Sequence, residues 1–111
     1  MDSKFFNDLD SAITVCDSDG IILFMNERAC KTFEKYGGRD LIGKNLFDCH
    51  NQNSCEIIKN LLKDDKSNTY TVTHNNTKKL IHQTPWHNNG EVMGLIEFSI
   101  DLPEEIPDHY R

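Results

Sequence analysis

The chain has no apolar run longer than Ile21–Met25, so no segment reads as a transmembrane helix. Its start, MDSKFFND, has no apolar stretch behind a basic one. Nothing reads as a secretion signal, and the expected compartment is the cytoplasm. Basic clusters are also scarce. Twelve Lys and Arg face 18 Asp and Glu, the formal net charge is −6, and the only adjacent basic pair is Lys78-Lys79. A phosphate-binding surface needs clustered cations, so nucleic acid is not an expected partner. The four cysteines, Cys16, Cys30, Cys49 and Cys55, form no CxxC or CxxCH. That excludes a thioredoxin motif and a c-type haem attachment, and without a secretion signal the thiols are expected to be reduced. GxSxG, GxxxxGK[ST] and HExxH are all missing. Asp17 and Asp19 are close, but they sit in a turn, where Asp is favoured for its backbone hydrogen bonds. No catalytic residue is expected, and the chain is not expected to be an enzyme.

What remains is enough for one domain with one core. At 111 residues, 37% apolar and 27% charged, the chain can bury a core and is too apolar for a disordered tail. Residues 3–10 predict a short helix, capped by Ser3, with Phe5, Phe6 and Leu9 on one face. Ala12–Asp17 and Ile21–Asn26 predict a hairpin turned by Ser18-Asp19-Gly20. Asn26 then caps a helix from Glu27 to about Tyr36, with Ala29, Cys30, Phe33 and Tyr36 as its apolar stripe and Gly37-Gly38 as its stop. Asp40–Ile42 and Leu46–Asp48 read as single helical turns around Gly43. Ser54 caps a further helix, about Cys55–Lys63, whose buried side is Ile57, Ile58, Leu61 and Leu62. From residue 68 the period changes from helical to alternating. Asn68–His74, Lys79–His87 and Glu91–Ile100 predict three strands joined at Asn75-Asn76 and Asn88-Asn89-Gly90. Five mainly antiparallel strands with helices on one face, an α+β fold, is the natural layer solution.

The last strand is apolar on both sides. Val92, Ile96, Phe98 and Ile100 fill one face, and Met93 and Leu95 lie on the other. A sheet with water on its second face alternates more cleanly. Cover for that face is expected from the N-terminal helix and from a second copy of the chain, as a homodimer.

This layout resembles the PAS family. ITVCDSDGIILFMNERACKTF is similar to the family's opening hairpin and first helix, with Asp17, Gly20, Asn26 and Ala29 in the Asp-x-x-Gly and Asn-x-x-Ala places. Leu41-Ile42-Gly43-Lys44-Asn45 resembles its Leu/Ile-Ile/Leu-Gly-Lys/Arg turn, and Gly90-x-x-x-Gly94 through Asp101 its closing strand. The resemblance covers roughly residues 10–101. It implies an N-terminal flanking helix (1–10), a PAS domain (11–101) and a C-terminal tail (102–111). Asp48-Cys49-His50-Asn51-x-x-Ser54 and Leu102-Pro103-x-x-Ile106-Pro107-x-His109-x-Arg111 resemble a narrower subgroup of bacterial PAS sensors.

The family implies a sensory role. A small molecule or cofactor is held between the sheet and the last two helices, and the output goes to a kinase, cyclase or DNA-binding regulator, in cis or in trans. The expected lining is Phe33, Phe47, Ile58, Leu62 and Leu95, with His50 as the polar or ligating group and Trp86 at the pocket or a dimer contact. A ligand-free dimerisation scaffold is the alternative. Haem-binding relatives place an axial His on the last helix, and Glu56–Lys63 contains none; His50 lies just before it. The flavin photoreceptor branch carries a reactive Cys directly after Gly-x-Asn, where this chain has Leu46. Only non-covalent flavin is compatible with that.

Cys49, His50 and Cys55 are the one local cluster with ligand chemistry, suited to a metal, an axial haem iron or a reactive thiol. The alternative is two small core cysteines and a loop-capping histidine. His74 shares a strand face with Tyr70 and Val72. His82 and His87 fall on opposite faces of theirs and cannot chelate together. His109 falls in the tail.

Overall fold

The computed structural model describes residues 4–48 and 50–111. Helix α1 (Lys4–Asn7) leads into strands β1 (Ala12–Asp17) and β2 (Ile22–Met25). Helix α2 (Glu27–Thr32) is followed by 3-10 turns at Glu34–Tyr36, Gly38–Leu41 and Leu46–Asp48, and then by helix α3 (Gln52–Asp64). Strands β3 (Asn68–His74), β4 (Thr77–Asn88) and β5 (Glu91–Leu102) complete one five-stranded sheet of order β2-β1-β5-β4-β3. Every pair is antiparallel. The expected α+β architecture is the one the chain adopts.

The turns explain the strand ends. Asp17 Oδ1 accepts from the backbone N–H groups of Asp19 and Ile21, both at 2.9 Å, and so shapes the first hairpin. Asn75, Asn76, Asn89 and Gly90 all have positive φ, as two-residue hairpin turns require. Pro85 interrupts β4 only past Gln83, the last residue that β3 pairs with, where β4 has become an edge.

Asn26 ties the first half of the chain together. It ends β2 with extended backbone, and none of its surface is exposed. Its Oδ1 accepts from Ala29 N at 3.0 Å, which caps α2. The same oxygen accepts from Ile13 N at 3.0 Å. Its Nδ2 donates to Phe6 O at 2.9 Å and Ser11 O at 2.8 Å. The side-chain amide is thereby fully satisfied. Beside it, Ala12, Cys16, Met25 and Leu95 of the sheet meet Ala29, Cys30, Leu41 and Ile58 of the helical layer.

Three local expectations are corrected. The first helix is shorter than residues 3–10; it spans Lys4–Asn7, and the expected cap, Ser3, lies outside the described residues. Helix α2 stops at Thr32 rather than near Tyr36. Phe33 has left helical backbone, and its carbonyl accepts from Gly38 N, folding the chain back through the positive-φ pair Gly37-Gly38. Tyr36 is consequently exposed. Helix α3 begins earlier than Cys55, because Asn51 and not Ser54 is the cap: Asn51 Oδ1 accepts from Ser54 N at 2.8 Å. On that helix Ile58 is buried, Leu61 and Leu62 are half-buried, and Ile57 is exposed.

Asn26→Ala strands two backbone donors and two carbonyls inside the fold. At about 1–3 kcal/mol for each unsatisfied buried group, partly relieved by relaxation, the expected loss in urea unfolding is about 2–5 kcal/mol. Asn26→Asp keeps both acceptor contacts but turns a carboxylate towards two carbonyl oxygens, so it also destabilises strongly. An Asn26→Ala loss below about 0.5 kcal/mol, the range of an ordinary surface change, contradicts this account.

Candidate functional site

The helical layer does not seal the sheet. A cavity of about 430 Å³ lies between them. Alternation along the strands points Thr14 and Cys16 (β1), Leu95 and Glu97 (β5), and Ile81 and Gln83 (β4) into it. Tyr70 and Val72 of β3 flank it, and Phe33, Tyr36, Leu41, Leu46, His50 and Ile58 roof it. A second hollow of about 410 Å³ shares His50, Ile58, Tyr70, Gln83 and Glu97 with the first and runs on past Ser54, Ile57 and Asn68. The space therefore opens between α3 and β3.

The cavity has two chemical ends. Towards β1 and β2 it is apolar, walled by Cys16, Ile22, Met25 and Leu95. Towards β3 it is polar. Asn68 Nδ2 donates to Gln83 Oε1 at 3.2 Å, and Gln83 Nε2 donates to Glu97 Oε1 at 2.9 Å. Register makes this row: Asn68 pairs with Gln83, Gln83 with Glu97, and Glu97 with Thr14. Burial pushes the Cys16 thiol above its ordinary 9.0, the charges of Asp17 and Glu97 push the same way, and a backbone hydrogen bond from Leu95 opposes them. Burial and then the Glu97 charge raise the Tyr70 phenol above its ordinary 10.0.

Of the residues singled out from sequence, the structure places Phe33, His50, Ile58 and Leu95 on the cavity wall. Phe47 and Leu62 pack against the core cluster behind it. Trp86 lies on the opposite parity of β4 from Ile81 and Gln83. Its indole N–H reaches the Cys16 carbonyl at 2.9 Å, next to Gly94. A Cβ on Gly94 would stand 1.9 Å from that carbonyl oxygen and 2.6 Å from the Trp86 indole nitrogen, so only glycine leaves room for the contact. His74 is exposed, His82 meets Thr69 Oγ1 through Nδ1 at 2.7 Å, and His87 Nε2 pairs with Asp65 Oδ1 at 2.8 Å. Thr14, Gln83 and Glu97 went unread. The available signal was parity: Glu97 is two residues from inward-facing Leu95.

Cys49 lies outside the described residues, so the Cys49–His50–Cys55 cluster is described only through its other two members. Cys55 is buried near the start of α3, where its Sγ donates to Phe47 O at 3.3 Å and stands 3.6 Å from His50 O. His50 Nδ1 lies 2.7 Å from Leu46 O. Among the described residues no group of three His, Cys, Asp or Glu side chains converges as metal ligands would. Cys16, Cys30 and Cys55 are free thiols. No helix of the described residues is long and apolar enough to cross a membrane.

The site is therefore a five-stranded antiparallel sheet with a layer of short helices standing off a cavity. The profile of the PAS domain family matches residues 10–104, and the chain belongs to that family. Solved structures agree on the fold. The PAS domain of the histidine kinase ThkA superposes with a TM-score of 0.69 at 18% identity, covering 84% of this chain and 100% of that one. The Aer2 receptor from Vibrio cholerae, a dual PAS-haem oxygen sensor, gives 0.62 at 17% identity over 84% of this chain and 95% of that one. VqmA bound to DPO gives 0.68 at 18% identity, over 88% of this chain but only 55% of VqmA. At these identities the likeness establishes the fold. A sequence comparison with curated proteins finds no match.

The raised Cys16 and Tyr70 values set a pH dependence. Both groups are neutral in the fold at pH values where the unfolded chain already ionises. Their contribution is complete below the unfolded Cys value of 9.0 and is lost as pH rises through the higher folded values. Urea melts of the wild type are therefore expected to weaken above about pH 9, and Cys16→Ser to weaken less steeply. Equal slopes for the two proteins contradict the assignment to Cys16.

Proposed function

We propose that the chain is a sensor that holds a small organic molecule between the sheet and helices α2 and α3 and reports occupancy to a signalling protein. The observation that supports this is the unfilled volume of about 430 Å³ where a scaffold would pack its core. Small-molecule sites commonly measure about 300–1,000 Å³ and combine apolar walls with a few polar groups. Phe33, Ile58 and Leu95 serve as apolar wall, and His50 as a polar group at the mouth, in this reading. VqmA with DPO and Aer2 with haem are fold relatives that hold small molecules in their own right.

Haem and flavin do not suit this cavity. Haem carries propionates and the flavin nucleotides carry phosphates, and among the described residues the lining contains Glu97 but no Lys or Arg. His50 commits Nδ1 to the Leu46 carbonyl and leaves Nε2 for other partners, as an axial ligand would, yet no lining cation would meet a propionate. Phe47, Leu62 and Trp86 contribute by packing rather than by contact with ligand.

Output passes through apolar surface that the monomer leaves uncovered. Phe5 is 71% exposed and Phe6 and Leu9 more than 40%; on the sheet face away from the helices Ile96 and Phe98 are only half-buried. A homodimer through this surface, docked to a kinase, cyclase or regulator in cis or in trans, is the arrangement we propose, in the cytoplasm. Occupancy shifts the population of sheet and α1 positions, and so the partner contact.

Native mass spectrometry of protein purified without chelators tests the sensing role. We expect a non-covalent adduct that disappears on denaturation and is missing from Ile58→Trp, a variant that fills the cavity while keeping the circular dichroism spectrum. No adduct on the wild type, together with an Ile58→Trp protein more stable than wild type, identifies a ligand-free scaffold instead.

A further inference from the structure

The sensing reading leaves the ligand's chemistry open, and the cavity's charge narrows it. We propose that the ligand is a small organic cation: an apolar body carrying one protonated amine or amidine that is held by Glu97. This rests on the proposal that the cavity is a ligand site.

Four observations carry it. First, among the described residues Glu97 is the one carboxylate lining the main cavity, and no Lys or Arg lines either hollow. His50, the remaining titratable base of the lining, lies at the mouth, and its Nδ1 is engaged with Leu46 O. Second, the carboxylate is fixed in place but only half used. Oε1 accepts from Gln83, whose own carbonyl is held by Asn68, so the donor cannot turn away. Oε2 meets no donor among the described contacts. No buried side-chain oxygen lacks a partner, so Oε2 is open to solvent. Third, the negative field of Glu97 extends along the walls: it contributes to the raised values of both Cys16 and Tyr70, on different strands. Fourth, most of the remaining lining is apolar, with the hydroxyl of Tyr36 among the exceptions. Cys16, Ile22, Met25 and Leu95 offer an apolar slot, while Thr14 and Tyr70 stand near the acid end.

A carboxylate in an apolar-walled space favours a partner that supplies both charge and donors. An ammonium group supplies three N–H donors and could fill Oε2 directly. An anionic ligand would be repelled by Glu97 without any lining cation to offset it. A neutral ligand would bind the apolar slot but leave Oε2 to water. The net charge of −6 also attracts a cation to the cavity mouth.

The test uses three probes built on one skeleton: phenethylamine, 2-phenylethanol and 3-phenylpropionate. Each is titrated at pH 7 into the full chain, and the backbone amides of Gln83, Leu95 and Glu97 are followed by NMR. The amine is expected to bind about tenfold tighter than the alcohol, the worth of one charge-assisted hydrogen bond, and the propionate weakest. Glu97→Gln keeps an oxygen for Gln83 while removing the charge. It is expected to weaken the amine about tenfold and to change the alcohol less than about twofold. The wild-type ranking carries the test by itself should that variant fold poorly. An alcohol or propionate that binds as tightly as the amine, or an amine indifferent to Glu97→Gln, overturns the cation while leaving the cavity a ligand site. If none of the three moves these amides, the ligand site itself is overturned.

Discussion

Two hydrogen bonds accepted and two donated by one buried amide hold this domain in shape. Asn26 receives the backbone N–H groups of Ile13 and Ala29 and gives its own hydrogens to the carbonyls of Phe6 and Ser11. Four chain segments converge there: the end of α1, the entry to β1, the exit from β2 and the start of α2. None of them is long enough to be stable alone. Once they are fixed, β1 presents its other edge to β5, and the first hairpin joins the three later strands in one sheet. An apolar residue at position 26 could not substitute, because it would leave the buried N–H groups of Ile13 and Ala29 and the part-buried carbonyls of Phe6 and Ser11 without the partner they have here.

The same sheet produces the cavity. Its inner face is rigidly set, while the layer above it is built from one short helix, three single 3-10 turns and α3. These cover the apolar end through Ala29, Cys30, Leu41 and Ile58 but leave Tyr70 and Val72 of β3 about two-fifths exposed. The uncovered side is where the row Asn68, Gln83, Glu97 crosses the sheet. A polar row in a strand interior costs stability unless it is hydrogen-bonded or hydrated, and here Gln83 is bonded to both Asn68 and Glu97. Sheet and roof thus divide the work: one fixes the chemistry of the cavity wall, the other leaves its side open. On the reverse face, Trp86 reaches β1 beside Gly94 and ties together strands that the chain visits far apart in sequence.

The features that could be read from sequence are those with local causes. Asp17-Ser18-Asp19-Gly20, Asn75-Asn76 and Asn89-Gly90 each demand a turn through their own backbone preferences, and the alternation after residue 68 needs only a half-buried sheet. With those in hand five mainly antiparallel strands followed, though not their order in the sheet, β2-β1-β5-β4-β3. Helix ends were harder. Asn51, Asn53 and Ser54 can all cap, and the choice of Asn51 depends on which register buries Cys55 and Ile58 against a sheet that is formed later in the chain. Tyr36 fell off the α2 stripe because Gly38 draws the chain back to Phe33. Glu97 was overlooked for a different reason: a charged residue in a strand is ordinarily turned outward, and only its shared parity with Leu95 says otherwise. Trp86 is the converse, a large aromatic whose outward placement is decided by the missing side chain at Gly94.

The proposed sensing role requires a fixed platform beneath a roof that can open, and native-state hydrogen exchange measures that property directly. The amides of Ile13 and Ala29, which donate to Asn26, should exchange only through global unfolding, whereas those of α3 should exchange through openings of lower free energy. Ligand should slow the α3 amides and leave the other two unchanged relative to global stability. Amides of α3 that exchange as slowly as Ile13 and Ala29, in a single cooperative unit, would contradict a movable roof and with it the proposed sensing role.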